Sequence, residues 1–337
     1  MKHTMIFDAG KGLASFPRLR VFTDGALARR GNQWWLFAGG LERWPDIQML
    51  SASLPPGVPL SAEGWTITSD PTDASNVALL AGKSSSFWWD GTGGRHCPSY
   101  VKGWDPENGA WVERIYYAGA AHSFLGPYSI GYLEWNGSAW VDQSAPVFTA
   151  NEYWERGSVY EPNLIYHEGK WKMWYVAGAN QDNYLVQGYA ESPNGQTDWS
   201  AHQIVFAPEE SVFDFCVIEA HGSYEAVFSR VDVSGGLGGV APKKDGAPQA
   251  GLWWCKANTP SPHMADWSEP VRLTGPGPWK PTFGYDERDP HTICLFYDSA
   301  YPNTTGFGIP MHFTLECLQI ERPSSEAIKG EYDGHNE

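Results

Sequence analysis

An imperfect repeat of roughly 50 residues runs through most of the chain and constrains its fold more than any other feature. The clearest copy spans Val159–Phe206. It contains two strand-like runs, VYEPNLIYH and KWKMWYVAG, joined by a turn at Glu168-Gly169. A third run, LVQGYAES, and a fourth follow, separated by a turn at Asn194-Gly195. Four short antiparallel strands in a unit of this length are typical of one blade of a β-propeller.

Four further segments show the same order of strand-like runs and turns, namely residues 22–68, 96–148, 213–273 and 279–320. The chain is therefore predicted to be all-β, with one five-bladed β-propeller over residues 1–322 and a four-stranded antiparallel sheet in each blade. The last copy lacks an obvious fourth strand, and we expect Met5–Phe7 to supply it and close the ring. Residues 323–337 are predicted to form a flexible C-terminal tail.

Composition agrees with this fold and indicates where the protein resides. Aromatic residues make up 15% of the chain, which also has 37 Gly and 25 Pro, a mix that favours strands separated by tight turns. Five scattered cysteines indicate neither a disulfide framework nor a metal-binding knuckle. Residues 1–11 contain no apolar core of a signal peptide, and no stretch is long enough for a membrane helix. We therefore expect a cytoplasmic protein with no membrane partner.

Charge narrows the choice of ligand. The 23 Lys and Arg against 39 Asp and Glu give a formal charge of −16, which repels nucleic acids and anionic membranes but not neutral sugars. Indole rings stack on the apolar faces of sugars, so the 18 Trp suit a carbohydrate ligand. Trp also fills the wide cores between propeller blades, and we expect about two-thirds of them to do so.

Aligning the five copies on their first turn places one residue of each in register: Asp24, Cys97, Glu161, Asp214 and Lys280. The first strand of each blade lines the central channel of a propeller, so these side chains are predicted to face a common axis. Carboxylates that converge raise one another's pKa and cost folding free energy, and they are usually kept for chemistry. The alternative is that these five side chains are polar only because the channel contains water.

The pattern resembles the five-bladed propeller glycoside hydrolases, the superfamily of arabinanases, β-xylosidases, invertases and levansucrases. DGALARRGNQWWLF is similar to the blade-one segment that bears its catalytic Asp, and YEPNLIYHEGKWKMWYVAG to the blade-three segment that bears its catalytic Glu. The resemblance implies these roles for Asp24 and Glu161. The superfamily also has an Asp on blade two, where this chain reads Arg95-His96-Cys97-Pro98.

This departure leaves the usual mechanism open. We expect His96 to orient a hydroxyl or tune Glu161, and Asp214 to supply the missing charge as a third catalytic carboxylate. Cys97 is expected to be a small buried hydrophobe, with a nucleophilic role as the weaker alternative.

Further residues are candidates for binding substrate. Loops at 82–95 and 232–251 are too long for plain turns, and the first is predicted to form a wall of the ligand pocket. Four tryptophans are candidates for a sugar platform, with packing as the alternative for each: Trp88, Trp89, Trp154 and Trp279. Arg156 and Arg230 are predicted to bind a carboxylated or sulfated sugar or to pair with the aligned carboxylates. Lys280, one of the five aligned residues, is assigned to substrate binding.

The sequence thus predicts a glycoside hydrolase in which an Asp and a Glu cleave the bond. The alternatives are a carbohydrate-binding or catalytically altered propeller, and a lyase or transferase that uses the same carboxylates. No cofactor is predicted. No metal ligand is assigned, because the histidines show no recognised ligand spacing, although a channel Ca²⁺ such as some relatives hold stays open. The sugar, the linkage, the stereochemical outcome, exo or endo action and the oligomeric state are left open.

Overall fold

The computed structural model describes residues 1–11, 13–42, 47–61, 63–82, 88–91, 93–122, 126–178, 185–231, 249–302 and 311–324. Over these residues, twenty strands form five antiparallel sheets of four strands each, arranged as a five-bladed β-propeller. This confirms the predicted fold class. No helix in the described part of the chain is long and apolar enough to cross a membrane.

The blades follow one another in chain order. Blade one contains β2 (Val21–Arg30), β3 (Gln33–Leu41), β4 (Gln48–Leu54) and β5 (Thr66–Ile67). Blade two contains β6 (Gly94–Asp105), β7 (Ala110–Ala120), β8 (Tyr128–Trp135) and β9 (Trp140–Asp142). Blade three contains β10 (Val159–His167), β11 (Lys170–Ala177), β12 (Val186–Ser192) and β13 (Gln203–Phe206). Blade four contains β14 (Val212–Ala220), β15 (Ser223–Arg230), β16 (Gly251–Ala257) and β17 (Val271–Arg272). Blade five contains β18 (Trp279–Asp286), β19 (Asp289–Pro302), β20 (Met311–Glu321) and β1 (Lys2–Phe7).

The N-terminal strand closes the ring, as predicted. β1 pairs antiparallel with β20, with Lys2 opposite Gln319 and Thr4 opposite Cys317. It thereby becomes the outer strand of the last blade, so that the first and last parts of the chain share one sheet. A propeller closed in this way ties the N-terminal part of its chain to the last blade by ladder hydrogen bonds, in addition to the packing between blades.

Apolar side chains fill the spaces between neighbouring blades. Phe37 from blade one and Tyr117 from blade two belong to one buried cluster, and Trp174 from blade three and Phe215 from blade four belong to another. The five cysteines are buried free thiols within these blades, in agreement with the prediction that they form no disulfide framework. Because the core lies between blades, each blade depends on both neighbours for its position.

Four of the residues that the alignment placed in register lie at equivalent irregularities of the first strands. In these blades the pairing of the first two strands shifts across the aligned residue, for example between Thr23 and Ala26 and between Tyr160 and Asn163. In blade four the shift comes directly before it, between Val212 and Asp214. Such β-bulges re-aim a side chain that would otherwise follow the pleat. In three blades a proline comes directly after the aligned residue, where the bulge tolerates the absence of a backbone N–H: Pro98, Pro162 and Pro281.

Hydrogen bonds between blades keep these bulges at one level. In blades one and three, the third residue after the aligned residue donates its backbone N–H to a side chain of the preceding blade. The acceptor is the second residue after the aligned residue of that preceding blade. Leu27 donates to Thr282 Oγ1 at 3.0 Å, and Leu164 donates to Ser99 Oγ at 2.9 Å. The strands that line the axis are therefore fixed against sliding along it.

Candidate active site

Five side chains, one from each blade, line a single cavity on the propeller axis: Asp24, Cys97, Glu161, Asp214 and Lys280. We call them the axial ring. Four of them have a left-handed backbone, with φ values of 58° at Asp24, 56° at Cys97, 51° at Glu161 and 48° at Lys280. A non-glycine residue pays about 1–3 kcal/mol for such a conformation, and residues held in it cluster at functional sites. The strain is repeated around the axis.

Lys280 lies between the two carboxylates that the sequence singled out. Its Nζ is 2.8 Å from Asp24 Oδ1 and 2.5 Å from Glu161 Oε1, and it donates to Cys97 Sγ at 3.0 Å. All of these side chains are at most one-tenth exposed. The carboxyl groups of Asp24 and Glu161 thus contact the same ammonium group.

The two carboxyl groups have opposite pKa shifts. Burial raises the pKa of Glu161, and the nearby Asp24 charge adds to this, so that it lies above its ordinary value despite Lys280. Burial also acts on Asp24, but the Lys280 ammonium outweighs it and holds the pKa of Asp24 below its ordinary value. One group is thus poised as an acid and the other as an ionised base or nucleophile, the division of roles that paired catalytic carboxyls need.

Asp214 and a fourth carboxyl, Asp298, support the backbone of the ring. Asp214 Oδ2 accepts hydrogen bonds from the Lys280 N–H and from Ser229 Oγ, both at 2.9 Å. In the next blade, Asp298 Oδ2 accepts from the Asp24 N–H at 2.6 Å and is fully buried. Burial raises the pKa of both groups well above the ordinary aspartate value. Each thus holds the left-handed residue of the following blade.

His96 and Cys97 lie on the first strand of blade two, at the axial ring. His96 Nδ1 lies 2.7 Å from Cys97 Sγ, and the thiol lies 3.6 Å from Asp24 Oδ2. Burial and the charge of Lys280 lower the pKa of His96 to about 4, so this imidazole is neutral at pH 7. Burial, reinforced by Glu161, raises the pKa of the Cys97 thiol well above its ordinary value, which argues against a free thiolate nucleophile.

Six aromatic side chains form an arc around the axial ring, near the residues where the first strands begin. Successive centroids are 4.9 to 6.3 Å apart along the series His96, Tyr128, Tyr160, Phe213, Trp279 and Phe313. Phe213, Trp279 and Phe313 are only half-buried. Tyr160 Oη and Trp279 Nε1 are buried without a hydrogen-bond partner among the described residues. Apolar faces beside unsatisfied polar atoms are what a sugar-binding surface requires.

Four of the other predicted binding residues are not among those that line the axial cavity. Trp89 is buried and stacks on Tyr117 at 5.4 Å, and Trp154 packs over Tyr175 at 6.3 Å. Arg156 is exposed, at the left-handed end of a short 3₁₀ turn. Arg230 lies over the rings of Phe228 and Trp253, with Glu210 3.9 Å away, so the acid it pairs with is not in the ring.

Two other predictions fall partly outside the described residues. The side chain of Trp88 lies there, as do residues 83–87 and 92 of the first long loop and residues 232–248 of the second. The predicted tail is described only up to residue 324. These predictions therefore stay predictions.

Replacing Trp89 should affect stability rather than ligand binding. Its ring fills the space above Gly119 and Gly131, where an added Cβ would lie 2.6 and 2.3 Å from it. We expect Trp89→Ala to lower the free energy of unfolding by about 3–5 kcal/mol, because it leaves a large cavity between blades one and two. Chemical denaturation measures this loss. An unchanged midpoint, or a selective loss of sugar affinity, would instead support the platform role.

The fold and the axial ring define this chain as a five-bladed propeller with an acidic axial pocket, and solved structures share that fold. A thermostable family 43 glycoside hydrolase superimposes with a TM-score of 0.59 at 12% identity, covering 94% of this chain and 95% of that one. A family 117 glycoside hydrolase from the marine bacterium Zobellia galactanivorans gives 0.59 at 10% identity, with 94% and 89% covered. Bacillus subtilis levansucrase gives 0.58 at 10% identity, with 94% and 88% covered.

No protein-family model and no curated protein matches the chain. The similarity to the solved structures shows a shared fold, and at these identities it does not carry an activity with it.

Proposed function

We propose that this protein is a glycoside hydrolase that acts on a small carbohydrate or glycoside, with Glu161 as the general acid and Asp24 as the nucleophile. The observation that carries the proposal is that two carboxyl groups with opposite pKa shifts, one from blade one and one from blade three, lie close together on the axis of a fold used by glycoside hydrolases. The half-buried aromatic rings at the start of the first strands support a sugar ligand. We also propose that it acts in the cytoplasm, which the five free thiols support.

The separation of the two carboxyl groups favours retention of configuration. Asp24 Oδ1 and Glu161 Oε1 lie 2.8 and 2.5 Å from the same nitrogen, so their distance cannot exceed the sum of these values. That limit lies below the roughly 6.5–9.5 Å of inverting enzymes, which need room for a water molecule, and it allows the roughly 5–5.5 Å of retaining ones.

In this mechanism Asp24 attacks the anomeric carbon while Glu161 gives its proton to the leaving oxygen, so the C–O bond breaks as the glycosyl–Asp24 ester forms. Glu161 then removes a proton from water, which cleaves the ester, frees Asp24 and restores the acid. Lys280 keeps Asp24 ionised in the resting site. It must move aside from between the carboxyl groups when the sugar enters.

The pH dependence should show the opposite shifts of the two groups. Activity needs Asp24 ionised and Glu161 protonated. It should therefore fall at low pH through a pKa below the ordinary 3.8 and at high pH through a pKa above the ordinary 4.5. Because Lys280 lowers both values, Lys280→Met should move both limbs of the kcat/KM profile to higher pH. If either limb stays in place in this variant, the assigned pair is wrong.

A panel of 4-nitrophenyl pentosides, hexosides and uronides, assayed with and without a chelator, tests the activity itself. Release of nitrophenol from at least one member, lost in Asp24→Asn, supports the proposal. If no member of the panel is cleaved although sugars bind, hydrolysis is excluded for these classes and the alternative below is favoured.

That alternative is a propeller that binds a carbohydrate without cleaving it. One observation favours it: Lys280 pairs with both carboxyl groups in the resting structure, where a sugar would have to displace it. The lack of a carboxylate at His96-Cys97 is a second departure from the superfamily pattern. In that case the aromatic arc would supply the affinity, and Glu161→Gln would have no turnover to remove.

A further inference from the structure

Three potential metal ligands of different chemistry meet at one edge of the axial ring. They are Asp24 Oδ2, His96 Nδ1 and Cys97 Sγ, and one donor atom from each lies within 4.8 Å of the others. Asp24 comes from blade one, whereas His96 and Cys97 are consecutive on the first strand of blade two. The bulge at Cys97, with its φ of 56°, turns two adjacent side chains toward the same place, which a regular strand would point to opposite faces.

The distances suit a small tetrahedral ion after a minor adjustment. A zinc ion, with Zn–S near 2.3 Å and Zn–N near 2.0–2.1 Å, places two of its ligands about 3.5 Å apart. Cys97 Sγ and Asp24 Oδ2 already lie 3.6 Å apart. His96 Nδ1 and Cys97 Sγ are closer, at 2.7 Å, and must separate by less than an ångström.

Packing holds the ligands in place. The Asp24 N–H is fixed by Asp298, and the His96 ring packs edge-on against Tyr128 at a centroid distance of 4.9 Å. Gly39 leaves the space beside them: a Cβ there would lie 3.3 Å from the Cβ of His96 and 3.5 Å from Asp24 Oδ2. Support of this kind for first-sphere ligands is a usual feature of metal sites.

We propose that Asp24, His96 and Cys97 form a binding site for a thiophilic divalent cation, with zinc as the best fit. A thiolate and an imidazole select zinc over calcium, which prefers six to eight oxygen ligands. On binding, Cys97 exchanges its thiol proton for the metal and the proton goes to solvent. The carboxylate and the thiolate then balance the two positive charges of the ion. Lys280, whose Nζ contacts Asp24 Oδ1 at 2.8 Å and Cys97 Sγ at 3.0 Å, gives up these two contacts to the ion and keeps Glu161 as its partner.

Binding would have a consequence for catalysis that rests on the proposed function. Asp24 cannot ligate a metal and attack a sugar at once, so zinc is expected to inhibit hydrolysis in competition with substrate. Metal binding itself does not depend on that function and is measured without any substrate.

Titration of the full-length protein with Co²⁺ tests the site, because a cobalt–thiolate bond gives a near-ultraviolet charge-transfer band. We expect this band, its displacement by Zn²⁺, and no displacement by Ca²⁺. Cys97→Ser should abolish the band. His96→Ala removes a direct ligand and should weaken Zn²⁺ binding in calorimetry by more than the about 10–100-fold that the loss of an outer-shell partner costs. Cys216→Ser is the matched control, since Cys216 is also buried, lines the same cavity and has no place in the cluster.

Circular dichroism of each variant shows whether it is folded, and only folded variants are compared. Absence of the band in the wild-type protein, or a band that persists in Cys97→Ser, would overturn the proposal. Inhibition by zinc without the band would place the ion elsewhere and likewise reject the site. A wild-type protein that shows the band yet hydrolyses no glycoside would support the metal site and reject only the proposed function.

Discussion

Glu161→Gln is expected to reduce kcat/KM about 10²–10⁴-fold on a glycoside with a poor leaving group, because the amide cannot protonate the departing oxygen. A dinitrophenyl leaving group departs without a proton. On such a glycoside, the reduction in the rate of the first step, formation of the glycosyl–Asp24 ester, should therefore be much smaller. Affinity for the sugar should be retained, since the side chain keeps its size. Steady-state kinetics on the two leaving groups, with calorimetry for binding, measure these effects.

Glu168→Gln is the matched control for this variant. Glu168 lies on the same blade, at the turn after β10, and its side chain is 81% exposed. This change should leave kcat/KM unaltered on both substrates. Asp24→Asn should lose activity on both, since it removes the nucleophile. An equal loss on both leaving groups in Glu161→Gln, or no loss, would contradict the role of Glu161 as the acid.

Lys280→Met should lower the free energy of unfolding by about 3–5 kcal/mol at neutral pH, because it leaves buried carboxylates without their cation. The deficit should shrink as the pH falls. In the wild-type protein Asp24 has a lowered folded-state pKa, so its contribution is present above its unfolded-state pKa and is lost on acidification. In the variant, burial without the ammonium raises that pKa, so protonation relieves the cost. Denaturant titrations at several pH values measure both trends.

Lys170→Met provides the comparison. Lys170 pairs with Glu191 at 2.6 Å, but its side chain is 58% exposed, and such surface pairs contribute about 0–1 kcal/mol. A similarly small loss in Lys280→Met, or a deficit that grows on acidification, would show that the ammonium group does not neutralise the axial carboxylates.

The repeat made the fold predictable from sequence, because the pattern of strands and turns of one blade occurs five times along the chain. Strand runs and turns recur in one order, and the last copy's missing strand could be matched to the N-terminal segment, where β1 indeed lies. Cys97 and Lys280 were aligned through their following prolines, and the structure places both in the same cavity as Asp24. The left-handed backbone at these positions had no sequence signal, since such conformations usually indicate glycine.

The site was less predictable where it depends on second strands. Asp298 lies on β19, opposite Trp279, and therefore outside the first strands that the repeat alignment compares. The signal was present nonetheless: the residues opposite Thr23 and His96 in their blades are Gly39 and Ala118, so a charged residue at this level of blade five stands out. The pairing of Lys280 with both carboxylates depends on side-chain conformation, which a register alignment does not contain.

For Trp89, the sequence left ligand contact and packing as alternatives, and the structure places its side chain in the core. Its loop is long and aromatic, which suggested an exposed wall, but its ring covers two glycines between blades one and two. Sequence does not distinguish these two uses of tryptophan, because both follow from the same large apolar surface. Phe213 and Phe313, in contrast, were not singled out, yet they lie on either side of Trp279 at the axis.

The central claim is that Asp24 and Glu161 face each other across the axis as nucleophile and acid. Mass spectrometry tests it most directly, after incubation with the 2-deoxy-2-fluoro derivative of a glycoside that the protein cleaves, which allows the glycosyl–enzyme ester to accumulate. We predict one sugar per chain, attached to the peptide that contains Asp24, and none in Asp24→Asn. A label on any other residue, or a product of inverted configuration with no label, would contradict the claim.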